Sequence, residues 1–222
     1  MAKSILTIQQ RDFLSFFKNE LYLTSTFYLS GGTCLAEYYL QHRYSEDLDF
    51  FSENEFELQS LTAILKSHKS ILGYKSMDFQ QSFNRNLFFL KYSGDDQLKI
   101  EFTYFPFSRV ESTNVKDDIQ IDSLQDIAIN KLFTVYQKPR GRDFYDLYAI
   151  NQKSELDLKS LMKLVRIKFD TNIDPLQLGR NFMQVDVLMD DPIVVDQKYK
   201  DKEIVSFIHK LGNSLGDEIL SK

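Results

Sequence analysis

The sequence predicts an α+β protein, with a β-sheet core in its first half and helices in its second half. Before about residue 105, segments rich in aromatic and β-branched residues alternate with turn-forming residues, which is typical of strands. From about residue 119 onward, apolar residues recur at helical spacing instead. The polar stretch ESTNVKDD separates the two patterns, and it predicts a core over residues 1–118 and a helical region over 119–222.

The first elements each have a local signal. Apolar residues at helical spacing predict a helix over 7–22. TSTFYLS is rich in aromatic and β-favouring residues and predicts a short strand that runs into Gly31 and Gly32. TCLAEYYLQH is predicted to be a helix with Thr33 as its N-cap, and DLDFFS is predicted to be the second strand.

An antiparallel sheet and further helices are predicted after the second strand. A helix is expected near 57–69, where leucine and isoleucine residues lie between charged ends. Residues 71–105 alternate and turn like antiparallel strands, with turns at NRN (84–86) and SGDD (93–96) and a last strand QLKIEFTYF. The helices predicted in the second half are 123–137, 141–151, 155–169, 175–189 and 199–215.

Composition and charge exclude several classes of protein. The net charge of −5 argues against a protein that coats nucleic acid, although a local basic patch stays open. Cys34 is the single cysteine, so an internal disulfide is excluded, and a buried apolar role suits it better than a nucleophilic one. No leader pattern opens the chain and no apolar run reaches about 18 residues, so the cytoplasm is the expected location. The three histidines are too dispersed to form a metal site.

Asp47 and Asp49 are the most informative pair of residues. Alternate residues of a strand face the same way, so both carboxylates are expected on one side while Leu48 points into the core. Like charges about 4 Å apart repel each other, so the pair favours a cation. Hard oxygen ligands of this kind suit Mg²⁺ or Mn²⁺. An Asp-x-Asp pair also occurs by chance, with one aspartate simply capping a turn.

Gly31 and Gly32 lie between the first strand and the helix that follows it. A glycine pair at such a place lets backbone N–H groups approach an anion, and a helix N-terminus favours negative charge. Tight turns also use glycine pairs routinely. Together with the aspartates in one short unit, however, the glycines predict a nucleoside triphosphate bound with its metal ion.

The segment from Tyr28 to Phe50 consists of a strand, Gly31-Gly32-Thr33, a helix, and then Arg43-x-Ser45-x-Asp47-Leu48-Asp49-Phe50. This order resembles the opening motif of the AbiEii/AbiGii-type nucleotidyltransferase toxins, which belong to the DNA polymerase β-like nucleotidyltransferase superfamily. The resemblance covers about residues 28–150. It implies a nucleotidyltransferase-like mixed β-sheet core flanked by helices, with the helical C-terminal region contributing to the active site.

The resemblance also implies a third carboxylate from a later strand of the same sheet. In QLKIEFTYF, alternation places Glu101 on the face opposite the apolar core, together with Lys99 and Thr103. Glu101 is therefore the candidate, and the alternative is a glutamate that simply faces solvent.

Lys131 lies within the apolar stripe of the helix predicted over 123–137. Such a lysine must either extend to water or meet an anion. These toxins carry a lysine in a helix of this type, which implies that Lys131 neutralises the nucleotide phosphates. Because a lysine is costly to bury, Lys131→Ala is expected to leave stability unchanged or to raise it.

RDFYDLY resembles the closing motif of the same family. Asp143 and Asp146 are three residues apart on one predicted helix face. The resemblance implies that an aspartate here completes the site, directly or by orienting the lysine, and Asp143 is the preferred one. A simple helix-dipole role for Asp143 stays open. KLVRIKF (163–169) is expected to be a solvated basic face, which with Arg140 and Arg142 could guide a polyanionic acceptor.

The predicted activity is transfer of a nucleotidyl group from a nucleoside triphosphate, with Mg²⁺ or Mn²⁺, to an acceptor that is expected to be a tRNA-like RNA. The resemblance implies the toxin of a toxin–antitoxin or abortive-infection system, with a cognate antitoxin as partner. A small-molecule acceptor and a nucleotide-binding protein without turnover remain as alternatives. The candidate residues are Asp47, Asp49, Glu101, Lys131 and Asp143 for catalysis, the first three as metal ligands, and Gly31, Gly32, Thr33, Arg43, Ser45 and Lys131 for nucleotide binding.

Overall fold

The computed structural model describes residues 4–155, 157–188 and 199–220, with the side chains of 217–220 left out. The chain divides into two compact units. The boundary predicted at 118/119 falls just before a strand, Ile119–Ile121, that belongs to the first of them. The sheet unit comprises the chain up to Tyr39, Ser45–Ser108 and Ser112–Ser123, and the helical unit comprises Leu40–Tyr44, Arg109–Glu111 and the chain from Leu124 onward.

The sheet unit is built, within the described residues, on seven strands. They are β1 (Tyr28–Ser30), β2 (Asp47–Ser52), β3 (Ser76–Ser82), β4 (Arg85–Lys91), β5 (Gln97–Tyr104), β6 (Asn114–Lys116) and β7 (Ile119–Ile121). Their order across the sheet is β3-β4-β5-β2-β1-β7-β6. β2 runs parallel to β5 and β1 runs parallel to β7, while the other neighbours are antiparallel. The mixed sheet confirms the predicted fold class.

The first helices of this unit correct the prediction. The helix expected over 7–22 is divided into two: the first ends at Phe17, the backbone N–H groups of Asn19 and Glu20 then donate to carbonyls three residues earlier, and the second begins at Leu21. The second helix, α2, includes the residues TST that were predicted to be strand. The helices are α1 (Ile8–Phe17), α2 (Leu21–Thr26), α3 (Gly31–Cys34), α4 (Leu58–Ser67) and α5 (Lys69–Leu72), with a π-helical segment at Leu35–Leu40 after α3.

Thr33 is not the N-cap of α3, contrary to the prediction. Gly31 has a φ of +71°, so the chain turns into the helix at this residue and Ser30 occupies the N-cap position. Thr33 is fully buried inside the helix, where its hydroxyl donates to the backbone carbonyl of Asp47. The threonine therefore fastens α3 to the start of β2.

The core of the sheet unit lies on one face of the sheet and is largely aromatic. The Phe50 ring stacks on Phe17 of α1 at 4.3 Å between centroids and on Phe102 of β5 at 5.2 Å. Phe13 of α1 reaches the same ring at 5.9 Å. Because side chains alternate along β2, burial of Leu48 and Phe50 on this face directs the aspartates to the opposite one.

Two polar segments fold differently from the prediction. The β3–β4 hairpin turns at Phe83 and Asn84, so Arg85 and Asn86 already belong to β4 rather than to a turn. Phe83 has a φ of +51° and is 97% exposed. The polar stretch ESTNVKDD, which was predicted to separate the two regions, contains β6 of the sheet.

The helical unit largely follows the predicted helices. The helix expected over 175–189 is divided into two, and its last residue lies outside the described residues. No described helix combines the length and the apolar character needed to cross a membrane. The helices are α6 (Leu124–Gln137), α7 (Gly141–Ser154), α8 (Leu158–Phe169), α9 (Pro175–Phe182), α10 (Val185–Leu188) and α11 (Asp201–Leu220).

A buried ion pair joins α6 to α8 in the helical unit. Lys168 Nζ lies 2.7 Å from Asp126 Oδ1, and neither side chain is exposed. The same carboxylate accepts the backbone N–H groups of Val110 and Glu111. Burial would raise the pKa of Asp126, but Lys168 and the two N–H groups outweigh it and lower that pKa. Lys168 is therefore a structural cation, which corrects its expected place on a solvated basic face.

Replacing Lys168 with Met should destabilise the protein by about 3–5 kcal/mol, since Asp126 would lose its buried counter-charge. Urea unfolding at neutral pH measures the loss. Lys163→Met on the exposed side of the same helix is the matched control and should change stability by less than about 0.5 kcal/mol. Equal effects of the two substitutions would contradict a structural role for the pair.

Candidate active site

Three carboxylates share one face of the sheet. Asp47 and Asp49 alternate with buried neighbours along β2, and β5 lies directly beside β2 in parallel. The register pairs Asp49 with Glu101. Paired residues of neighbouring strands project from the same face, so the sheet order places Glu101 beside the aspartates.

Glu101 is only 4% exposed, which excludes the alternative of a solvent-facing strand glutamate. Arg85 holds it with two hydrogen bonds, from Nε to Oε1 at 2.6 Å and from Nη2 to Oε2 at 2.5 Å. The Thr103 hydroxyl donates to Oε1 at 2.8 Å. Burial would raise the pKa of Glu101, but these donors outweigh it and lower that pKa, so the carboxylate is ionised at neutral pH.

A second cation on this face holds Asp47. Lys99, which the register pairs with Asp47, places its Nζ 2.6 Å from Asp47 Oδ2. The Glu101 carboxylate raises the pKa of Arg85, and Asp49 and Asp47 add to this effect. The carboxylate face therefore carries three negative and two positive side chains: Asp47, Asp49, Glu101, Lys99 and Arg85.

The donor chemistry of this face fits a hard divalent cation. Asp47, Asp49 and Glu101 offer the oxygen ligands that Mg²⁺ and Mn²⁺ prefer. Within the described part of the chain, however, no three carboxylate, histidine or cysteine side chains converge closely enough to hold an ion. Lys99 and Arg85 occupy oxygen atoms that such an ion would need.

The turn at Gly31 lies against the carboxylate face of the sheet. A Cβ atom on Gly31 would lie 2.1 Å from Asp49 Oδ2, so only glycine allows the turn to approach the aspartate so closely. Gly32 and Thr33 follow in α3, and both are buried. Just before the turn, the Ser30 hydroxyl donates to Asp122 Oδ2 at 2.8 Å. The close approach of Gly31 to Asp49 and the hydrogen bond from Ser30 to Asp122 together hold the turn in place.

Ser45, a candidate for nucleotide binding, precedes β2 and is half-buried. Its backbone carbonyl accepts a hydrogen bond of 2.8 Å from Gln10 Nε2. This bond anchors the start of β2 to α1 within the sheet unit.

Lys131 lies in the helical unit and meets two anions. Its Nζ is 2.9 Å from Asp143 Oδ1 and 2.6 Å from Asp146 Oδ2. The lysine is 7% exposed and both aspartates are fully buried. The alternative that Lys131 extends to water is therefore wrong, and both aspartates of α7 contact it.

Further cations surround the two aspartates. Arg43 binds Asp146 with both Nε, at 2.6 Å, and Nη2, at 2.9 Å. Arg140 Nε lies 2.7 Å from Asp143 Oδ2, so Asp143 does more than complement a helix dipole. Burial would raise the pKa of Asp146, but Arg43 and then Lys131 outweigh it and hold that pKa well below its ordinary value.

His42 also contacts Asp146: its Nε2 lies 2.7 Å from Asp146 Oδ1. Burial lowers the pKa of this histidine and, with smaller effects of Arg43 and Lys131, outweighs the contact with Asp146, which would raise that pKa. With a neutral His42, the Lys131 cluster (His42, Arg43, Lys131, Arg140, Asp143 and Asp146) has three positive and two negative side chains.

Sequence reasoning missed the contacts that the cations make with the carboxylates of the candidate site. Lys99 was visible on the face of Glu101, but nothing in the sequence indicated its contact with Asp47. Arg85 was assigned to a turn, because the pairing of β4 with β5 cannot be read from local pattern. The predicted candidates are divided between the units: Lys131, Asp143 and Arg43 lie in the helical unit and the others in the sheet unit.

Comparisons with known proteins give a match to one family model and to similar sequences and structures. Residues 19–203 match the model of the family described as nucleotidyl transferase AbiEii toxin, type IV toxin–antitoxin system. An uncharacterised protein of Aquifex aeolicus strain VF5 is 34% identical over 157 residues, which cover 68% of this chain and 70% of that protein.

Two crystal structures from Helicobacter pylori share the fold, each at 19% identity. JHP933 has a TM-score of 0.60 and covers 96% of this chain and 92% of its own. A candidate nucleotidyltransferase has a TM-score of 0.61 and covers 97% of this chain and 98% of its own.

Gly31→Ala should destabilise the protein more than Gly94→Ala, although both glycines have nearly the same positive φ. Gly94 has open space around it, so alanine there adds only backbone strain of about 1–2 kcal/mol. At Gly31 the clash with Asp49 should cost about 1–3 kcal/mol more. Urea unfolding of both variants measures the difference, and equal losses would contradict the close approach of Gly31 to Asp49.

Lys131→Met should destabilise the protein by about 1.5–3 kcal/mol, since two buried aspartates lose a charged donor while Arg43 and Arg140 remain. This reverses the expectation from the sequence, which took no account of the anions. The pKa of Asp146 is depressed on folding, so this stabilisation is present at neutral pH and is lost as the pH falls through the folded pKa. Urea unfolding at neutral and at strongly acidic pH should show the gap from the parent protein narrowing in acid. The exposed Lys138→Met is the control, and a loss no larger than the control's would contradict this role.

Proposed function

Because the chain belongs to the family of AbiEii nucleotidyl transferase toxins of type IV toxin–antitoxin systems, we propose that this nucleotidyltransferase is metal-dependent and modifies RNA. The observation that supports metal dependence is the placement of Asp47, Asp49 and Glu101 on one sheet face. The family also implies a nucleoside triphosphate as substrate and an antitoxin as partner. A cytoplasmic site of action remains a proposal.

In the proposed reaction, a hydroxyl oxygen of the acceptor attacks the α-phosphorus of the nucleoside triphosphate. A new phosphorus–oxygen bond forms, the bond to pyrophosphate breaks, and the hydroxyl proton is released. Asp47, Asp49 and Glu101 would hold Mg²⁺ or Mn²⁺, which when bound supplies positive charge to the attacking and leaving oxygens. Gly31, Gly32 and the start of α3 would cradle phosphate with backbone N–H groups.

Lys131 would neutralise phosphate charge. Its two aspartates already hold two of its N–H groups and leave a third for an anion, and the Lys131 cluster carries a positive surplus. Asp143 and Asp146 would orient the ammonium. Arg43 would act through Asp146, since its guanidinium is bound to that carboxylate.

RNA as the acceptor rests on the family's membership of toxin–antitoxin systems and on exposed basic residues of the helical unit. Lys163 and Arg166 are exposed on α8, and the Arg140 side chain is 47% exposed. Cationic side chains of this kind bind phosphate backbones without reading sequence. Buried Lys168 contributes nothing to such a surface.

Asp49→Asn should lower nucleotidyl transfer at least about a hundredfold, because it removes one negative charge from the metal ligands while keeping the side chain's shape. Purified protein incubated with each labelled nucleoside triphosphate, Mg²⁺ and total cellular RNA provides the assay. Asp78→Asn on the exposed edge strand β3 is the matched control and should retain parental activity.

The same experiment tests the acceptor. Label that enters RNA supports the proposal, whereas label that enters only small molecules in a cell extract would replace RNA with a small acceptor. Parental activity in Asp49→Asn would remove the metal-ligand role of the aspartate pair. In a host cell, Asp49→Asn should also relieve any growth inhibition that the parent protein causes.

A further inference from the structure

The carboxylate face is already neutralised in part by the protein itself. Lys99 binds Asp47 Oδ2 through a single contact of 2.6 Å, and Arg85 binds both oxygens of Glu101. Lys99 comes from β5, the strand that also carries Glu101, and Arg85 comes from the neighbouring strand β4. Their positions follow from strand register, so they are built into the fold rather than carried by a loop.

The three carboxylates share a face, but they do not form a group that could hold a metal ion. Each cation draws a carboxylate toward itself, Asp47 toward Lys99 and Glu101 toward Arg85. A divalent ion that uses the same oxygens must therefore break these ion pairs before it can be bound.

We propose that Lys99 and Arg85 are internal counter-ions of the metal site, and that a divalent cation loads by displacing them from Asp47 and Glu101. This inference rests on the proposed metal site and adds two residues that set its affinity. Both side chains are partly open to solvent, at 26% for Lys99 and 53% for Arg85, so each has room to leave. Lys99 has one contact where Arg85 has two, and it should be displaced first.

Exchange of this kind makes the metal weakly bound on its own and tightly bound with nucleotide. The divalent ion must compete with an ammonium held at 2.6 Å, so its apparent affinity is the intrinsic affinity multiplied by the fraction of molecules in which the pair is open. A triphosphate then supplies the negative charge that the displaced cations need. Metal and nucleotide should accordingly enhance each other's binding.

Binding of Mn²⁺ alone, without nucleotide, tests the proposal directly. Free Mn²⁺ is counted by electron paramagnetic resonance during titration of the parent protein, Lys99→Met, Lys99→Arg and Lys91→Met. Lys99→Met keeps the length of the side chain and removes its charge. If the pair is formed in about nine molecules of ten, Lys99→Met should bind Mn²⁺ about tenfold more tightly than the parent.

Two controls separate displacement from a general change of charge. Lys91→Met removes the same charge from an exposed pair with Asp78 on the sheet edge, and its Mn²⁺ affinity should stay within about twofold of the parent. Lys99→Arg keeps a cation beside Asp47 and should remain as weak as the parent. Adding Asp49→Asn to Lys99→Met should remove the gain.

Circular dichroism confirms that each variant is folded before it is titrated. Parental Mn²⁺ affinity in folded Lys99→Met would overturn the exchange while leaving the metal site of the proposed function intact. A gain that survives Asp49→Asn would place the ion elsewhere and also overturn it. Absence of Mn²⁺ binding in both parent and Lys99→Met, up to millimolar concentration and with nucleotide present, would overturn the metal site itself.

Discussion

Repulsion among three neighbouring carboxylates is the constraint on which the sheet unit depends. Asp47, Asp49 and Glu101 come together because β2 and β5 are paired in parallel, and the aromatic core beneath fixes which side chains face outward. Carboxylates that share one face of a sheet repel each other. Lys99 on β5 and Arg85 on the neighbouring β4 offset this repulsion, so the acidic face is tolerated in the folded chain.

The helical unit also contains neighbouring carboxylates, but there the positive side chains outnumber the negative ones. Asp143 and Asp146 are fully buried, and an isolated carboxylate at such depth would take up a proton rather than stay ionised. Lys131, Arg43 and Arg140 keep both ionised and leave one positive charge in excess. The sheet unit thus offers a site with surplus negative charge, and the helical unit offers one with surplus positive charge.

Local periodicity of the sequence was sufficient to predict much of the fold and part of the candidate site. The alternation in DLDFFS places Asp47 and Asp49 on one face, and the helical spacing after residue 119 predicts most of the later helices. Predicting Glu101 as a site residue required both the alternation of its strand and the family resemblance. Nothing local shows that Arg85 meets Glu101, because this depends on where the β3–β4 hairpin turns. The contact between Arg43 and Asp146 spans 103 residues and depends on tertiary packing.

The cost of a buried charge is likewise invisible in a single helix. Lys131 in an apolar stripe predicts instability when it is considered alone, and the sign of that prediction reverses once its partners are known. Thr33 illustrates the same limit on a smaller scale. Its place after two glycines favours an N-cap, yet its hydroxyl reaches the neighbouring strand because the turn begins two residues earlier.

The contact of Gly31 with Asp49 has a consequence for the genetics of such a protein. Every missense change of a glycine codon adds at least a Cβ atom, and at this position any Cβ would overlap a carboxylate of the acidic face. Any missense change in this codon therefore disturbs the acidic face. At Gly94, by contrast, an added Cβ atom meets no other atom, so only the strain of the positive φ opposes the same changes.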